Sequence, residues 1–295
     1  MQNKSNRREI MKKLIGTAAA ITLTDGLSAH AFDEAPLALK GNINHSVCRW
    51  CYDTIPLEDL AKAAKEMGIQ SVELLNVNEF DIVKKHGLTC AMVSSINKDW
   101  GIEKGWNKKE HHKGHIEWYK YLIDETSKAG LKNLICFSGN REEDLSDEEG
   151  LENCAEGLSQ IIPYAEKKKV TLVMELLNSK IDHHNYMCDM TDWGTELCRM
   201  LDSENLKLLF DIYHMQIMEG DIIRTIKDNH NYFAHYHTGG VPDRAEIDDT
   251  QELFYPAIMK TIAATGYKGF VGQEFIPKKA DKLASLKQGV LICDV

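Results

Sequence analysis

At 295 residues, with 43% hydrophobic and 27% charged side chains, the chain has enough apolar content to fill a large core, which excludes a disordered sequence. A formal net charge of -10 excludes a broad nucleic-acid face, which needs clustered Lys and Arg to displace counterions from phosphates, and directs attention to a small-molecule partner. Length alone leaves one large domain or two small ones open, because α/β barrels commonly run to about 250 residues as a single domain.

In chain order, the first expected element is a targeting segment. Asn6-Arg7-Arg8-Glu9-Ile10-Met11-Lys12 looks like a twin-arginine export signal, with Ile10 and Met11 where that pattern usually has Phe and Leu. The apolar stretch Leu14 to Leu23 is too short to anchor stably in a bilayer, and Ala29-His30-Ala31 supplies a small-x-small cleavage pattern. The expected organisation is therefore an export signal over 1–31 and a folded domain over 32–295, located in the periplasm. Without the first 31 residues the charged groups are 30 basic and 43 acidic, so the expected mature body is acidic. All eight cysteines lie in that body. Their even number permits disulfides in an exported protein without showing any, and Cys48-x-x-Cys51 has no second CxxC to complete a metal knuckle.

From residue 43 onward, short apolar β-prone runs alternate with longer amphipathic stretches. Strands are expected at 43–48, 71–75, 89–94, 133–138, 170–177, 206–213, 232–238 and 269–275. Helices are expected at about 57–67, 79–86, 114–129, 148–168, 191–202, 220–228, 252–265 and 280–292, several of them introduced by Pro, Ser, Thr or Asp. Strands as apolar as Val170-Thr-Leu-Val-Met-Glu suit a parallel sheet covered on both faces. Eight such βα units in series favour a single-domain α/β fold, the (β/α)8 TIM barrel. The segment from Asn97 to His112 is expected to form an enlarged loop after the third strand.

In such barrels the working residues lie at the C-terminal ends of the strands, where the loops share one face. Near the end of the fifth expected strand lies Glu175, of the sixth Asp211, of the seventh His237 and of the eighth Glu274. A buried carboxylate costs several kcal/mol unless paired or ligated, so three of them with an imidazole on one face imply a cation. The donors suit one divalent metal ion, with Mn2+, Mg2+, Co2+ and Zn2+ all open. His111, His112, His115, His183 and His184 form a second candidate metal cluster, but they are read as loop and surface histidines.

The runs Glu175-Leu-Leu-Asn, Phe210-Asp-Ile-Tyr-His-Met-Gln, His235-Tyr-His-Thr-Gly-Gly-Val-Pro and Gly272-Gln-Glu-Phe resemble the xylose-isomerase-like barrel superfamily, and within it the hydroxypyruvate isomerase group, over roughly residues 43–294. The resemblance implies that Glu175, Asp211, His237 and Glu274 ligate the metal and that Glu175 and Glu274 double as the acid/base pair. It further implies that His214 and Arg244 hold substrate oxygens. After Asn178 many members of the group carry an Arg, whereas this chain has Ser179-Lys180, so Lys180 is the expected anion-binding residue.

The expected activity is a metal-dependent isomerisation of a small α-hydroxycarbonyl compound through an enediolate, as in hydroxypyruvate to tartronate semialdehyde. A ketose 3-epimerase or other sugar isomerase on the same site is the alternative within this chemistry. A non-catalytic, metal-dependent sugar-binding protein is the alternative outside it. The expected partner is a small sugar or hydroxy-keto acid, with no nucleic acid and no stable membrane anchor, and homo-oligomers remain open.

Overall fold

The computed structural model describes residues 38–295, so the expected export signal lies outside the described residues. The described residues form one compact unit. The apolar runs form seven strands: β1 (Asn44–Cys48), β2 (Ser71–Glu73), β3 (Asn133–Cys136), β4 (Thr171–Leu176), β5 (Leu206–Asp211), β6 (Phe233–Thr238) and β7 (Phe270–Gln273). They pair in the order β2-β1-β7-β6-β5-β4-β3, and every pairing is parallel.

The sheet is strongly curled, and one contact measures the curl. Glu73 on β2 and His237 on β6 are separated in the sheet by β1 and β7, about 14 Å at ordinary strand spacing. Their side chains nevertheless meet at 2.7 Å.

The expected third strand, 89–94, is not a regular strand here. Its backbone reaches β2 through Val72 N–H to Thr89 O (3.1 Å) and β3 through Val93 N–H to Asn133 O (2.9 Å), as isolated parallel bridges. Side chains replace the ladder between them. The Ala91 N–H goes to Ser71 Oγ (2.8 Å) and the Ala91 carbonyl accepts from Asn133 Nδ2 (3.1 Å). On the facing segment Leu74 takes a left-handed φ of 57°, which breaks the pleat.

Among the described residues there are ten α-helices: α1 (Leu57–Glu66), α2 (Phe80–Lys85), α3 (Lys109–Lys128), α4 (Asp147–Ser159), α5 (Ile162–Lys168), α6 (Thr191–Leu201), α7 (Ile212–Met218), α8 (Ile222–Asn229), α9 (Tyr255–Ala264) and α10 (Lys282–Cys293). Helix α1 buries Leu57, Leu60, Ala61 and Ala64, one face at helical spacing, and opens with Glu58 and Asp59, where the helix dipole favours acids. Ser146 caps α4 by accepting from the Glu149 N–H, and Asp281 caps α10 through the Ala284 N–H.

Two expected boundaries shift for identifiable reasons. The single helix expected over 148–168 is two, because Pro163 has no N–H and its ring cannot follow a helical residue 159. The sixth expected strand ends at Asp211 rather than 213. There the Asp211 carboxylate accepts from the N–H groups of Tyr213 (2.8 Å) and His214 (3.2 Å) and starts α7 at once. Val47, Val173, Leu209 and Val271 are among the core residues with no solvent exposure. All eight cysteines are buried thiols, with no disulfide among the described residues.

Candidate active site

Parallel pairing brings the C-terminal ends of β4, β5, β6 and β7 to one rim, and register does the rest. Asp211 lies opposite His237, which lies opposite Gly272, two residues before Glu274. One ligand atom from each of Glu175, Asp211, His237 and Glu274 lies within 4.8 Å of the others, and all four residues are buried. His237 Nδ1 is 2.8 Å from Glu274 Oε2 and 3.5 Å from Glu175 Oε1.

Burial shapes the charges. It raises Glu175 above the usual carboxylate range, with His237 pulling the other way and Glu274 adding to the rise. Burial also pushes Asp211 well up, against the pull of Arg244. Glu274 would rise too, but His237 and Arg244 hold it well below its ordinary value. Glu175 and Glu274 are thus driven to opposite sides of the ordinary carboxylate value.

Hydrogen bonds fix the tautomer of His237 and test whether a metal fits. Glu73 is acceptor-only when ionised, and its Oε1 meets the Nε2 of both His237 and His235 at 2.7 Å, so each ring carries a proton on Nε2. His237 Nδ1 then faces the rim carboxylates, and it is a buried nitrogen with no hydrogen-bond partner. Set against carboxylate oxygens, that nitrogen calls for a second ring proton or a cation between them; burial opposes the charge, but Cys48 and Glu274 raise His237 well above the ordinary histidine value. Three carboxylates and this imidazole are therefore a donor set suited to a divalent metal.

His214 is wired the other way. Asn178 Oδ1 accepts from the N–H groups of Ile181 (3.0 Å) and Asp182 (2.9 Å), which fixes the amide and turns its NH2 toward His214 Nδ1 at 2.7 Å. The ring proton is thereby placed on Nε2, which is buried, unpartnered and 3.6 Å from Asp211 Oδ2. Burial and then Arg244 depress His214 far below the usual histidine value, so it presents a neutral N–H donor at the rim.

Arg244 joins the cluster through Glu274 (2.7 Å) and Asp211 (3.4 Å), its guanidinium lying over the rings of Trp50 and Tyr213 at 5.1 and 5.3 Å. Its backbone takes a left-handed φ of 52°, unusual for a long side chain. Lys180 is not brought to the site. Its ammonium donates to the carbonyls of Ile217 and Met218, both at 3.0 Å, at the end of α7.

Beside the cluster lies a cavity of about 480 Å3, reached by Glu175, Glu274, Arg244 and His183. Its far wall is apolar, built from Leu74, Ile96, Ile102, Ile135, Phe137 and Leu177. Trp50 stands at its edge and donates its indole N–H to Glu274 Oε1 at 2.8 Å. The sequence reading did not single out Glu73, His235, Asn178 or Trp50 for the site. Glu73 ends β2 as Glu175 nearly ends β4, so the strand-end rule applied to the second strand would have found it.

Residues 52–290 match the family described as xylose isomerase-like TIM barrel. The chain belongs to that family. It is 34% identical over 233 residues to a 2-oxo-tetronate isomerase of Cupriavidus necator, covering 75% of this chain and 87% of the relative. A putative hydroxypyruvate isomerase of Homo sapiens is 31% identical over 106 residues, 36% of this chain and 38% of that one. Among solved structures, an AP endonuclease, family 2, from Brucella melitensis superposes with a TM-score of 0.73 at 21% identity, covering 84% of this chain and 99% of its own, a likeness of fold alone. Family and relatives agree on the enzyme class, and the chain is an isomerase.

Proposed function

We propose that this isomerase acts on a small α-hydroxycarbonyl compound, a hydroxy-keto acid of three or four carbons such as hydroxypyruvate or 2-oxo-tetronate, with one divalent metal held by Glu175, Asp211, His237 and Glu274. The observation that carries the reading is the unpartnered His237 Nδ1 facing buried carboxylates from three neighbouring strands. Bound there, Mn2+, Mg2+, Co2+ or Zn2+ would polarise the carbonyl and offset the charge of the enediolate.

The chain's own groups do the rest. One of Glu175 and Glu274 takes the proton from the carbon next to the carbonyl, and a carboxylate oxygen of the same pair returns one to the neighbouring carbon. Arg244 and the Nε2–H of His214, both next to Asp211 Oδ2, orient the substrate's oxygens. Trp50 holds Glu274 in place through its indole N–H.

The cavity favours a second reading within the same chemistry. Its volume of about 480 Å3 and apolar wall exceed what a three-carbon acid needs, and Lys180 is engaged elsewhere. A ketose, isomerised or epimerised by the same carboxylate pair, suits these features. Segment 89–94, hydrogen-bonded to β2 on one side and β3 on the other, serves in this reading as the eighth stave of a closed barrel.

Metal analysis of the purified protein, followed by incubation with hydroxypyruvate, 2-oxo-tetronate and a ketose panel in D2O, tests the proposal. Solvent deuterium should enter the carbon next to the carbonyl of one class. A metal-loaded protein that binds sugars but exchanges no proton would instead be the binding protein considered above. We also propose periplasmic export by the twin-arginine route. Replacing Arg7 and Arg8 with Lys should leave the chain in the cytoplasmic fraction, and unchanged export would refute that route. Among the described residues no helix is long and apolar enough to cross a membrane.

A further inference from the structure

We infer that Glu73 is the positioning residue of the metal centre, fixing His237 in the tautomer that offers Nδ1 to the ion. The inference rests on the metal reading above and adds a residue from the opposite side of the curled sheet. Glu73 is fully buried at the end of β2, level with Cys48 on β1. Its Oε1 receives both imidazole Nε2–H groups at 2.7 Å, with the Cys48 thiol 3.5 Å away. Among the described residues its ion-pair partners are the two histidines, with no Lys or Arg beside them.

Three features mark this as a built arrangement. The rings of His235 and His237 stand at 89° to each other with centroids 5.0 Å apart, so both can aim Nε2 at one oxygen. Gly272, on the strand between, keeps the path open. A Cβ there would lie 2.6 Å from Glu73 Oε1 and 2.8 Å from His237 Cδ2. Finally, with Nε2 held on Glu73, Nδ1 is the ring nitrogen left to face Glu175 and Glu274. A carboxylate behind a ligating histidine fixes ring orientation and raises its basicity, and losing such a partner typically costs about 10–100-fold in metal affinity. Cys48 adds nothing comparable, since burial keeps its thiol protonated.

The test is Mn2+ binding by titration calorimetry to the full-length protein and to Glu73→Gln, with ring 15N spectra of the Zn2+-loaded unaltered protein. The carboxamide cannot accept from both histidines through one charged oxygen, so Mn2+ affinity should fall about 10–100-fold with secondary structure unchanged. In the Zn2+-loaded protein the His237 proton should reside on Nε2 and be lost from Nδ1. Wild-type affinity in Glu73→Gln overturns the inference. So does a proton on Nδ1, a result that needs no variant to fold. An unaltered protein that binds neither ion defeats the metal reading itself, and the inference with it, so the two failures are distinguishable.

Discussion

Histidines gather in two regions of this molecule, and their partners give them different work. In the loop after segment 89–94 and the first turns of α3, His111 bonds the Gly105 carbonyl, His112 that of Trp106 and His115 that of Lys104, at 3.1, 2.9 and 2.9 Å. His115 also stacks on Trp106, centroids 4.9 Å apart. Each of these rings donates to a backbone oxygen and needs no ion. His237, at the rim, has one nitrogen on Glu73 and the other against carboxylates, an arrangement that the proposed cation would complete. The loop histidines thus tie residues 104–106 to α3, close to the apolar wall at Ile102. The expectation of surface positions holds for neither His112 nor His115, which are buried.

The largest effect that sharpens this contrast is on turnover. Glu274→Gln should lower kcat by about 10²–10⁴-fold, the usual contribution of a general acid or base, while His112→Gln leaves kcat near its starting value. Solvent deuterium incorporation measures both, and near-normal exchange in Glu274→Gln would break the assignment. Next comes metal binding. His237→Leu should weaken Mn2+ by more than about 100-fold, beyond what an outer partner commands, and His115→Gln by little. Equal losses in the two variants would mean that the loop cluster holds an ion after all. A smaller effect follows from Gly272→Ala, whose methyl group meets Glu73 and His237 in a buried site without room. Overpacking of this kind costs about 1–3 kcal/mol, visible as a lower melting temperature, and it should weaken Mn2+ as well.

The sequence made the rim legible because each proposed ligand sits in or next to an apolar run that reads as a strand, and parallel strands present their C-terminal ends together. It offered Glu73 as a strand-end carboxylate but concealed its partner, which lies three strands away and is reached only when the sheet curls. It also overstated the third strand. The alternation in Leu88 to Val93 is real, but the positive φ of Leu74 and the side-chain bonds of Ser71 and Asn133 consume the ladder there. The helix at 212 was hidden for a related reason. Ile212 and Tyr213 read as strand, and only the capping bonds of the Asp211 carboxylate turn them into a first helical turn. Lys180 was expected from its place after Asn178, yet the carbonyls at the end of α7 lie within its reach and hold it.

The smallest effect separates the two regions by acid. Burial, offset in part by the Lys104 carbonyl, lowers His115 to about 4, from an ordinary histidine value of 6.5. Below pH 6.5 the unfolded chain takes up a proton that the folded chain refuses, so this contribution to stability is complete above 6.5 and is lost as the pH falls toward 4. At pH 5.5 the loss is about 1.4 kcal/mol, one pH interval below the unfolded value. His115→Gln keeps a donor for the Lys104 carbonyl but has no proton to gain. Its melting temperature should therefore fall less than the parent's between pH 7 and 5.5, by a few degrees. His45, lowered to about 4 by burial against the opposing charge of Asp294, makes a similar contribution that the substitution leaves in place. Acid sensitivity should thus be reduced and not abolished. Parallel melting curves for parent and variant would show instead that His115 is already protonated in the fold.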